Sequence, residues 1–385
     1  MPPPRRPIVH VNKPSARRLW LQAQRLDTRT PFGEGPGAAA AAVAHLGYVQ
    51  IDTINVIERA HHHILWNRIP TYRREDLHRA QTLEKSVFEY WTHALSYVPT
   101  KDYRFFLPEM RRRRNATGGW FGQVKREDVR KLVSRIRKEG SLTIRDIEDE
   151  VLVEKEHLWA SRKPSRRALQ LAFYAGALTV SARTGMLKTY ELSERHFGWE
   201  RRPASASEKQ VSEYLLDRAL RAQAIVSLDS VCHLDARRKP AIRKIIETRL
   251  RRRQLVAVAI EGAERTEHFT TPETLDAIPE ETGGLVHILS PFDPLIIQRK
   301  RLKLFFDYEH RFEAYVPKEK RRFGYFALPV LVDGDIVAAV ELKTDRKKQE
   351  LLVQKWTWIA KGARARRRRQ IEEALHRFER FQLGE

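Results

Sequence analysis

Hydrophobic residues of this chain recur either every three to four residues, as in a helix, or every second residue, as in a strand. The order in which these helical and strand patterns follow one another occurs three times along the chain. In the first copy, helical patterns at Ala16–Leu26 and Ala38–Leu46 precede a short strand at Tyr48–Asp52. Two more helical patterns follow, and the copy ends with strands at Val87–Trp91 and Leu95–Pro99. Helix, short strand, helices and hairpin form the order of a winged helix-turn-helix unit.

The second and third copies keep this order of elements. The second contains helix Glu127–Glu139, strand Leu142–Ile144, a short acidic helix, a basic helix from Pro164, and strands Leu178–Arg183 and Met186–Leu192 around the turn Thr184-Gly185. The third contains helix Glu208–Ala222, strand Ile225–Leu228, basic helix Arg237–Arg253, and strands Leu255–Ile260 and Glu267–Thr271. Such a tandem array predicts a surface that curves around a duplex.

From Gly284 onward the pattern changes to strands. They are predicted at His287–Ile297, Phe312–Pro317, Tyr325–Val332, Ile336–Lys343 and Leu351–Ile359. Asp333-Gly334 is a strong hairpin signal, and a basic terminal helix is predicted at Ala363–Phe381. We therefore predict an α+β, mainly α fold with winged-helix units at residues 12–115, 120–203 and 204–283, followed by a C-terminal antiparallel β-rich portion at 284–385.

The net charge of the chain predicts the kind of partner that it binds. Its 385 residues exceed one ordinary core, and 72 lysines and arginines against 49 aspartates and glutamates give a formal net charge of +23. Such an excess predicts a polyanionic partner, with nucleic acid ahead of an anionic membrane. A basic surface that is merely solvated is the alternative.

The expected cellular compartment rests on features that the sequence lacks. No apolar run has membrane-spanning length, and Pro2–Arg6 lacks the apolar core of a signal peptide. The single cysteine, Cys232, excludes an intrachain disulfide and a cysteine-based zinc site. We expect a cytoplasmic, nucleoid-associated protein.

Two polar residues on the first short strand are the leading chemical candidates. At period two, Val49 and Ile51 face one way, whereas Gln50 and Asp52 face the other. This places an amide beside a carboxylate in a strongly basic chain. Asp52 either caps the helix that follows, with Gln50 satisfying backbone groups, or acts as a chemical group.

Three consecutive histidines, His61-His62-His63, follow this strand. Consecutive helical positions point about 100° apart, and neither an HExxH spacing nor a cysteine pair accompanies them, so DNA contact or hydrogen bonding is favoured over metal binding. The chain also lacks GxxxxGK[ST] and a GxGxxG motif after a strand. We therefore predict no metal and no nucleotide cofactor.

Aromatic and basic residues interleave at two further places. Trp91 and His93 lie in the first predicted hairpin, where they either enter a groove or stack on a displaced base, or else fill the core. A cluster of four cations predicted to contact phosphates lies between two predicted strands: Lys318, Lys320, Arg321 and Arg322.

Long blocks of this sequence resemble a known family. The blocks are GYVQIDTINVIERAHHHILWNR, FEYWTHALSYVP, LSPFDPLI with Arg299 and Arg301 after it, and YVPKEKRRFGYFALPVLVDGDIV. They are similar to the YcaQ/AlkZ family of bacterial winged-helix DNA glycosylases, and the likeness runs over roughly residues 12 to 380. Family members carry either Gln-x-Gln or Gln-x-Asp; Gln50-Ile51-Asp52 resembles the Gln-x-Asp, crosslink-unhooking YcaQ branch.

The resemblance implies a fold and an activity. The fold is three tandem winged helices arranged as a C-shaped basic cleft around DNA. The activity is excision of N-alkylated purines and unhooking of interstrand crosslinks formed through N7 of guanine. The partner is double-stranded DNA that contains such lesions, and we expect a monomer.

An N7-alkylated guanine is already a good leaving group because it is positively charged. The enzyme must instead stabilise an oxocarbenium-like sugar and deliver water to C1′. Asp52 suits the first task and can polarise the water, and the Gln50 amide can hold that water or the sugar. No lysine in the sequence marks a Schiff-base site, so we expect a monofunctional glycosylase.

These considerations give one set of site predictions. The predicted catalytic residues are Gln50 and Asp52, and the predicted DNA-contacting residues are His61, His62, Arg68, Trp91, His93, Arg299, Arg301, Lys318, Lys320, Arg321 and Arg322. A non-catalytic winged-helix transcription regulator is the alternative function, because it explains the charge and the repeats equally well. A scaffold that binds crosslinks without cutting them is the third possibility.

Overall fold

The computed structural model of this protein describes residues 8–115, 121, 124–147, 161–279 and 283–384. The chain divides into two units by its internal contacts. The terminal unit combines Met1–Arg73 with Ser212–Glu385, and the middle unit is Arg74–Val211. The predicted acidic helix falls largely on residues 148–160, and Pro2–Arg6 precedes residue 8; both lie outside the described residues.

The elements follow one another closely along the chain. Before residue 74 they are β1 (Val9–Val11), α1 (Lys13–Ala23), α2 (Gly35–Leu46), β2 (Val49–Gln50) and α3 (Ala60–Trp66). Then come α4 (Arg74–Thr82), β3 (Val87–Trp91), β4 (Leu95–Pro99), α5 (Leu107–Asn115), α6 (Arg126–Glu139), β5 (Leu142–Thr143), α7 (Pro164–Tyr174), β6 (Leu178–Thr184), β7 (Leu187–Leu192), α8 (Ser193–Phe197) and α9 (Glu208–Gln223). The remainder is β8 (Val226–Ser227), α10 (Leu228–Val231), α11 (Lys239–Arg251), β9 (Val256–Ile260), β10 (His268–Thr270), α12 (Pro272–Asp276), β11 (Val286–Ile288), α13 (Pro294–Ile297), α14 (Arg299–Phe306), β12 (Ala327–Val332), β13 (Asp335–Asp345), β14 (Glu350–Trp358) and α15 (Arg364–Leu383).

An antiparallel sheet in the order β11-β12-β13-β14 forms one layer of the terminal unit. The turn between β12 and β13 places Asp333 and Gly334 at positive φ (50° and 83°), as a tight hairpin requires. Apolar residues of α15, including Ile371 and Phe378, pack on this sheet with Ile57 from the segment before α3. The predicted C-terminal antiparallel sheet, its hairpin and its terminal helix are confirmed.

A second sheet of the terminal unit has the order β1-β9-β10-β8, with β8, β9 and β10 antiparallel and β1 added parallel to β9. Leu216, Val226, Ile242 and Phe269 are among the buried residues that join α9 and α11 to this sheet. The succession α9, β8, α10, α11, β9, β10 follows the predicted order. The division into three winged helix-turn-helix units and the C-shaped cleft stay predictions.

The middle unit contains the hairpin β3–β4, in which Glu89 pairs with Tyr97, and the sheet β5-β7-β6. The buried Glu89 carboxylate accepts a 2.7 Å hydrogen bond from Arg183 Nη2 and a 3.2 Å bond from Gln81 Nε2. This ion pair links β3 to β6. Both hairpins lie where the sequence pattern predicts them.

Two predicted strands are wrong. The strand expected over His287–Ile297 ends at Ile288, because Asp293 accepts a hydrogen bond from the Leu295 N–H and starts α13. The segment Phe312–Pro317 is irregular, since the buried Glu313 carboxylate accepts backbone N–H bonds of 2.7–3.2 Å from Arg322, Phe323 and Gly324. This segment therefore folds as a loop around the Glu313 carboxylate instead of pairing as a strand.

None of the helices in the described parts of the chain combines the length and the apolar character that crossing a bilayer requires.

Candidate active site

The approach to the motif is fixed by Gly47. It ends α2 in the left-handed conformation (φ 78°), and its N–H donates to the Val43 carbonyl. A Cβ at this position would lie 2.3 Å from Cγ of Arg218, so a larger residue would meet both backbone strain and a clash. The chain then enters β2, where Val49 is fully buried and Gln50 is 6% exposed.

Asp52 lies just beyond β2, in a loop rather than on the strand. Its Oδ1 accepts a 2.8 Å hydrogen bond from the Ile54 N–H, which holds the half-buried carboxylate in a local turn. Helix α3 begins only at Ala60, and Arg59 occupies its N-cap position. The alternative that Asp52 caps the following helix is therefore excluded.

The electrostatic setting of Asp52 differs from that of an ordinary structural aspartate. Burial raises the pKa of its carboxyl, and hydrogen bonds from the backbone N–H groups of Ile54 and Thr53 oppose this rise only in part. Within the described residues, no lysine or arginine forms an ion pair with Asp52. Its negative charge is thus partly desolvated, and no cation in the described part of the chain compensates it.

The loop that carries Asp52 is held by the C-terminal sheet. Ile57 is 1% exposed and belongs to the core formed by that sheet and α15. Arg346, at the turn between β13 and β14, donates from Nη2 to the Asn55 side-chain oxygen at 3.3 Å and to the Ile57 carbonyl at 3.2 Å. No pattern in the sequence singles out Arg346, because its contacts form only when the chain folds.

The environment of Arg68 contradicts its predicted role. Its side chain is completely buried, with Nη1 and Nη2 donating to the two carboxylate oxygens of Asp293 at 2.7 and 3.0 Å. Nε also donates to the Gln24 carbonyl at 2.9 Å. With every contact directed inward, Arg68 has no surface for DNA, and the prediction of a DNA contact at this position is wrong.

The three histidines on α3 have three different environments. His63 is buried, its Nε2 lies 2.7 Å from the Ile288 carbonyl oxygen, and burial lowers its pKa to about 4. His61 is 3% exposed, and its ring centroid lies 4.2 Å from that of His62. His62 is half-buried, with Nδ1 2.7 Å from the Tyr72 hydroxyl. No cluster of three or more His, Cys, Asp or Glu suited to a metal occurs in the described residues.

The remaining predicted contact residues are distributed over both units. In the middle unit, Trp91 is 38% exposed at the end of β3 with its ring 6.2 Å from that of Tyr174, and His93 lies half-buried in the hairpin turn. In the terminal unit, Arg299 is exposed at the start of α14 and Arg301 is buried.

The basic loop between α14 and β12 also belongs to the terminal unit. Lys318, Lys320 and Arg322 are exposed, whereas Arg321 is half-buried and its Nε donates to the Val316 carbonyl at 2.7 Å. Tyr315, 76% exposed beside these cations, was not singled out from the sequence. In the sequence, the available signal was an aromatic residue shortly before a run of cations.

Comparison with known proteins identifies what this fold resembles. A family model described as "DNA glycosylase AlkZ-like" matches residues 43–381. The solved structure of the Streptomyces sahachiroi DNA glycosylase AlkZ matches with a TM-score of 0.63 at 18% sequence identity, over 97% of this chain and 97% of that one. The structural likeness concerns the fold, and the family match covers both the loop with Gln50 and Asp52 and the C-terminal sheet that supports it.

Proposed function

Because this chain belongs to the AlkZ-like family of DNA glycosylases, we propose that it hydrolyses the N-glycosidic bond of N7-alkylated purines and unhooks interstrand crosslinks in duplex DNA. The protein is a DNA glycosylase, which removes the non-catalytic regulator and the passive scaffold from the candidate functions. The lesion class and the catalytic residues are the proposal.

One observation carries the catalytic assignment: the half-buried Asp52 carboxylate has no ion-pair partner among the described residues of a chain with net charge +23. A partly desolvated charge without an ion-pair partner lowers stability, and ionisable groups perturbed in this way are more frequent at functional sites than elsewhere. Asp293 shows the structural contrast, because both of its oxygens bind Arg68.

The chemistry asks for such a group. Loss of an N7-alkylated guanine leaves positive charge on the deoxyribose, and a fixed carboxylate at that place stabilises the transition state more than the ground state. Asp52 also polarises the water that attacks C1′. Gln50, two residues earlier and held at the end of β2, orients that water or the sugar through its amide.

The carboxylate is held in place by the fold. The Ile54 N–H fixes the Asp52 side chain, and Ile57 and Arg346 anchor the loop to the C-terminal sheet. Pre-organisation of this kind avoids reorganisation when the charge develops.

An interstrand crosslink ties the modified base to the opposite strand, so the base cannot be swung fully into a closed pocket. We propose that this protein acts on such a base in an open basic cleft. The exposed cations Arg299, Lys318, Lys320 and Arg322, together with Trp91 and half-buried His62, His93 and Arg321, are proposed to contact the duplex.

The substrate assignment is tested with two duplexes, one with a single 7-methylguanine and one with a defined nitrogen-mustard crosslink between guanines. We expect free modified base and an abasic site from the first, and separated strands from the second, with no release from the undamaged duplex. Release from the methylated duplex alone would overturn the crosslink part, and no release from either would overturn the lesion class.

Hydrolysis without a covalent intermediate is tested by borohydride trapping during turnover. Lys188 is the lysine to watch, because burial lowers its pKa to about 8 and its Nζ lies 5.2 Å from the Phe173 ring centre. We expect no trapped protein–DNA adduct. An adduct that forms with the wild type but not with Lys188→Met would show that the amine of Lys188, and not water, is the nucleophile.

A further inference from the structure

A cavity of about 1030 Å³ lies in the terminal unit, apart from the loop that carries Asp52. Its walls come from the β8–α10 segment, the turn between β9 and β10, and the start of α14. None of these segments contributes to the proposed catalytic groups. The lining is rich in cations, and two of its inner side chains are buried with unsatisfied nitrogen atoms.

Arg301 is the most deeply buried arginine or lysine among the residues that line this cavity. It is 7% exposed, and its guanidinium lies 4.3 Å from the ring centre of Trp20 and 4.7 Å from that of Phe305. Nη2 donates to the Gln223 carbonyl at 3.0 Å, whereas Nε has no hydrogen-bond partner among the described residues. No carboxylate of the described residues pairs with it, and burial lowers its pKa to about 9.

His268 also lines this cavity. It is 3% exposed, its Nδ1 has no hydrogen-bond partner in the described part of the chain, and burial together with the charge of Arg301 lowers its pKa to about 4. The ring is therefore neutral at physiological pH. It supplies a donor or an acceptor without adding to the charge.

The rim adds cations whose charge is not cancelled. Arg265, Arg299 and Lys300 are exposed and have no carboxylate partner among the described residues. The two acidic residues of the lining are already engaged: Asp229 pairs with Lys239, and Glu264 accepts a 2.8 Å bond from the Gly262 N–H. The cavity as a whole is thus strongly positive.

We propose that this cavity binds a phosphate group, with Arg301 as the inner cation and Arg265, Arg299 and Lys300 at the rim. A buried guanidinium with a single protein acceptor retains several N–H donors, and its planar fork matches two oxygens of a phosphate. A tetrahedral anion would satisfy the Nε of Arg301 and compensate its desolvated charge. A metal cation is excluded by the same charges.

The source of the phosphate is either the DNA backbone, a choice that rests on the proposed function, or a free nucleotide or inorganic phosphate. The two sources are distinguished by an undamaged duplex in one arm and inorganic pyrophosphate in the other. Neither arm involves base release, so a failure of the glycosylase proposal leaves this test intact.

Two variants and a control are compared as full-length proteins. The rim variant replaces Arg265, Arg299 and Lys300 by Gln. The control replaces Arg126, Arg130 and Lys138 of α6 by Gln, which removes the same charge elsewhere; these three are exposed and form no ion pair with any described residue. The third protein is Arg301→Met, which keeps an apolar stem between Trp20 and Phe305. Removal of an uncompensated buried charge leaves the Tm of the free protein unchanged or higher.

We expect pyrophosphate to raise the Tm of the wild type and of the control but not that of Arg301→Met or the rim variant. For duplex binding, we measure the slope of log Kd against the logarithm of the salt concentration. In the rim variant this slope is expected to be smaller by about 0.9 for each DNA phosphate that the removed cations neutralise in the wild type. The control is expected to keep the slope of the wild type. A change in the pyrophosphate arm alone identifies a free phosphate ligand. If both variants behave as the control does in both arms, the proposal is overturned.

Discussion

Replacing Asp52 by Asn separates chemistry from structure at the proposed site. The Asn side chain keeps its shape and its Oδ1, so the 2.8 Å hydrogen bond from the Ile54 N–H survives and the local turn is retained. Only the negative charge is removed. The substitution therefore acts on the electrostatics of the site and leaves the path of the loop unchanged.

The expected effects on rate and on stability have opposite directions. Loss of a transition-state carboxylate lowers the rate of base release by about 10²- to 10⁴-fold, or roughly 3 to 5 kcal/mol in barrier. Burial raises the folded-state pKa of Asp52, so this group contributes stability below its unfolded pKa and loses that contribution as pH rises through the folded pKa. At neutral pH the ionised carboxylate is unfavourable, and Asp52→Asn should unfold at the same or a higher temperature.

The assay is single-turnover release of 7-methylguanine from a defined duplex, measured alongside the Tm of the same preparations. Asp345→Asn is the matched control, because Asp345 is also half-buried and its Oδ1 accepts backbone N–H bonds from Lys347 and Lys348, both at 3.1 Å. The control should keep the wild-type rate. A wild-type rate in folded Asp52→Asn would refute the catalytic assignment, and a joint fall of rate and Tm would make the residue structural.

Three further predictions concern the surroundings of this carboxylate. The rate of base release should fall on the acid side at a higher pH than for an ordinary aspartate, because burial raises the pKa of Asp52; a rate profile that stays level down to the ordinary aspartate range would contradict this. Arg346→Met should slow base release at saturating enzyme without a matching loss of duplex affinity, since it releases two hydrogen bonds that hold the loop; Arg346→Lys should restore part of the rate, and equal rates in all three proteins would exclude a positioning role. Arg68→Met should lower the free energy of unfolding by about 3 to 5 kcal/mol in denaturant titration, because it leaves Asp293 buried without its cation; a stability loss below about 1 kcal/mol would contradict the buried ion pair.

Local signals in the sequence were enough for much of the secondary structure. The hairpin at Asp333-Gly334 was predictable because the two positive φ angles of this turn suit Asp and Gly, and an apolar run flanks the turn on each side. The strand-like pattern at Phe312–Pro317 was misleading, because a tertiary contact overrides it. The Glu313 carboxylate captures backbone N–H groups nine to eleven residues away, and no period in the sequence reveals that.

The residues of the candidate site could be proposed from the sequence, but their local geometry could not. Gln50 and Asp52 were singled out by their spacing and by the family resemblance, yet the strand ends at Gln50 and Asp52 lies in a loop. Arg68 looked like a surface cation because its partner, Asp293, lies 225 residues away in the chain. Long-range pairs of this kind are set by the packing of distant segments, which a single sequence does not display.

Ile57 and Arg346 are in contact but far apart in the sequence, and this separation determines which of them is synthesised first. These residues are 289 positions apart, so at about 5 to 20 residues per second the ribosome makes the loop with Asp52 roughly 15 to 60 s before the turn that braces it. The sheet under this loop is likewise encoded after residue 285. A nascent or prematurely terminated chain therefore carries Gln50 and Asp52 without the sheet and the turn that hold their loop. Under the proposed mechanism, base release begins only after the C-terminal sheet has folded.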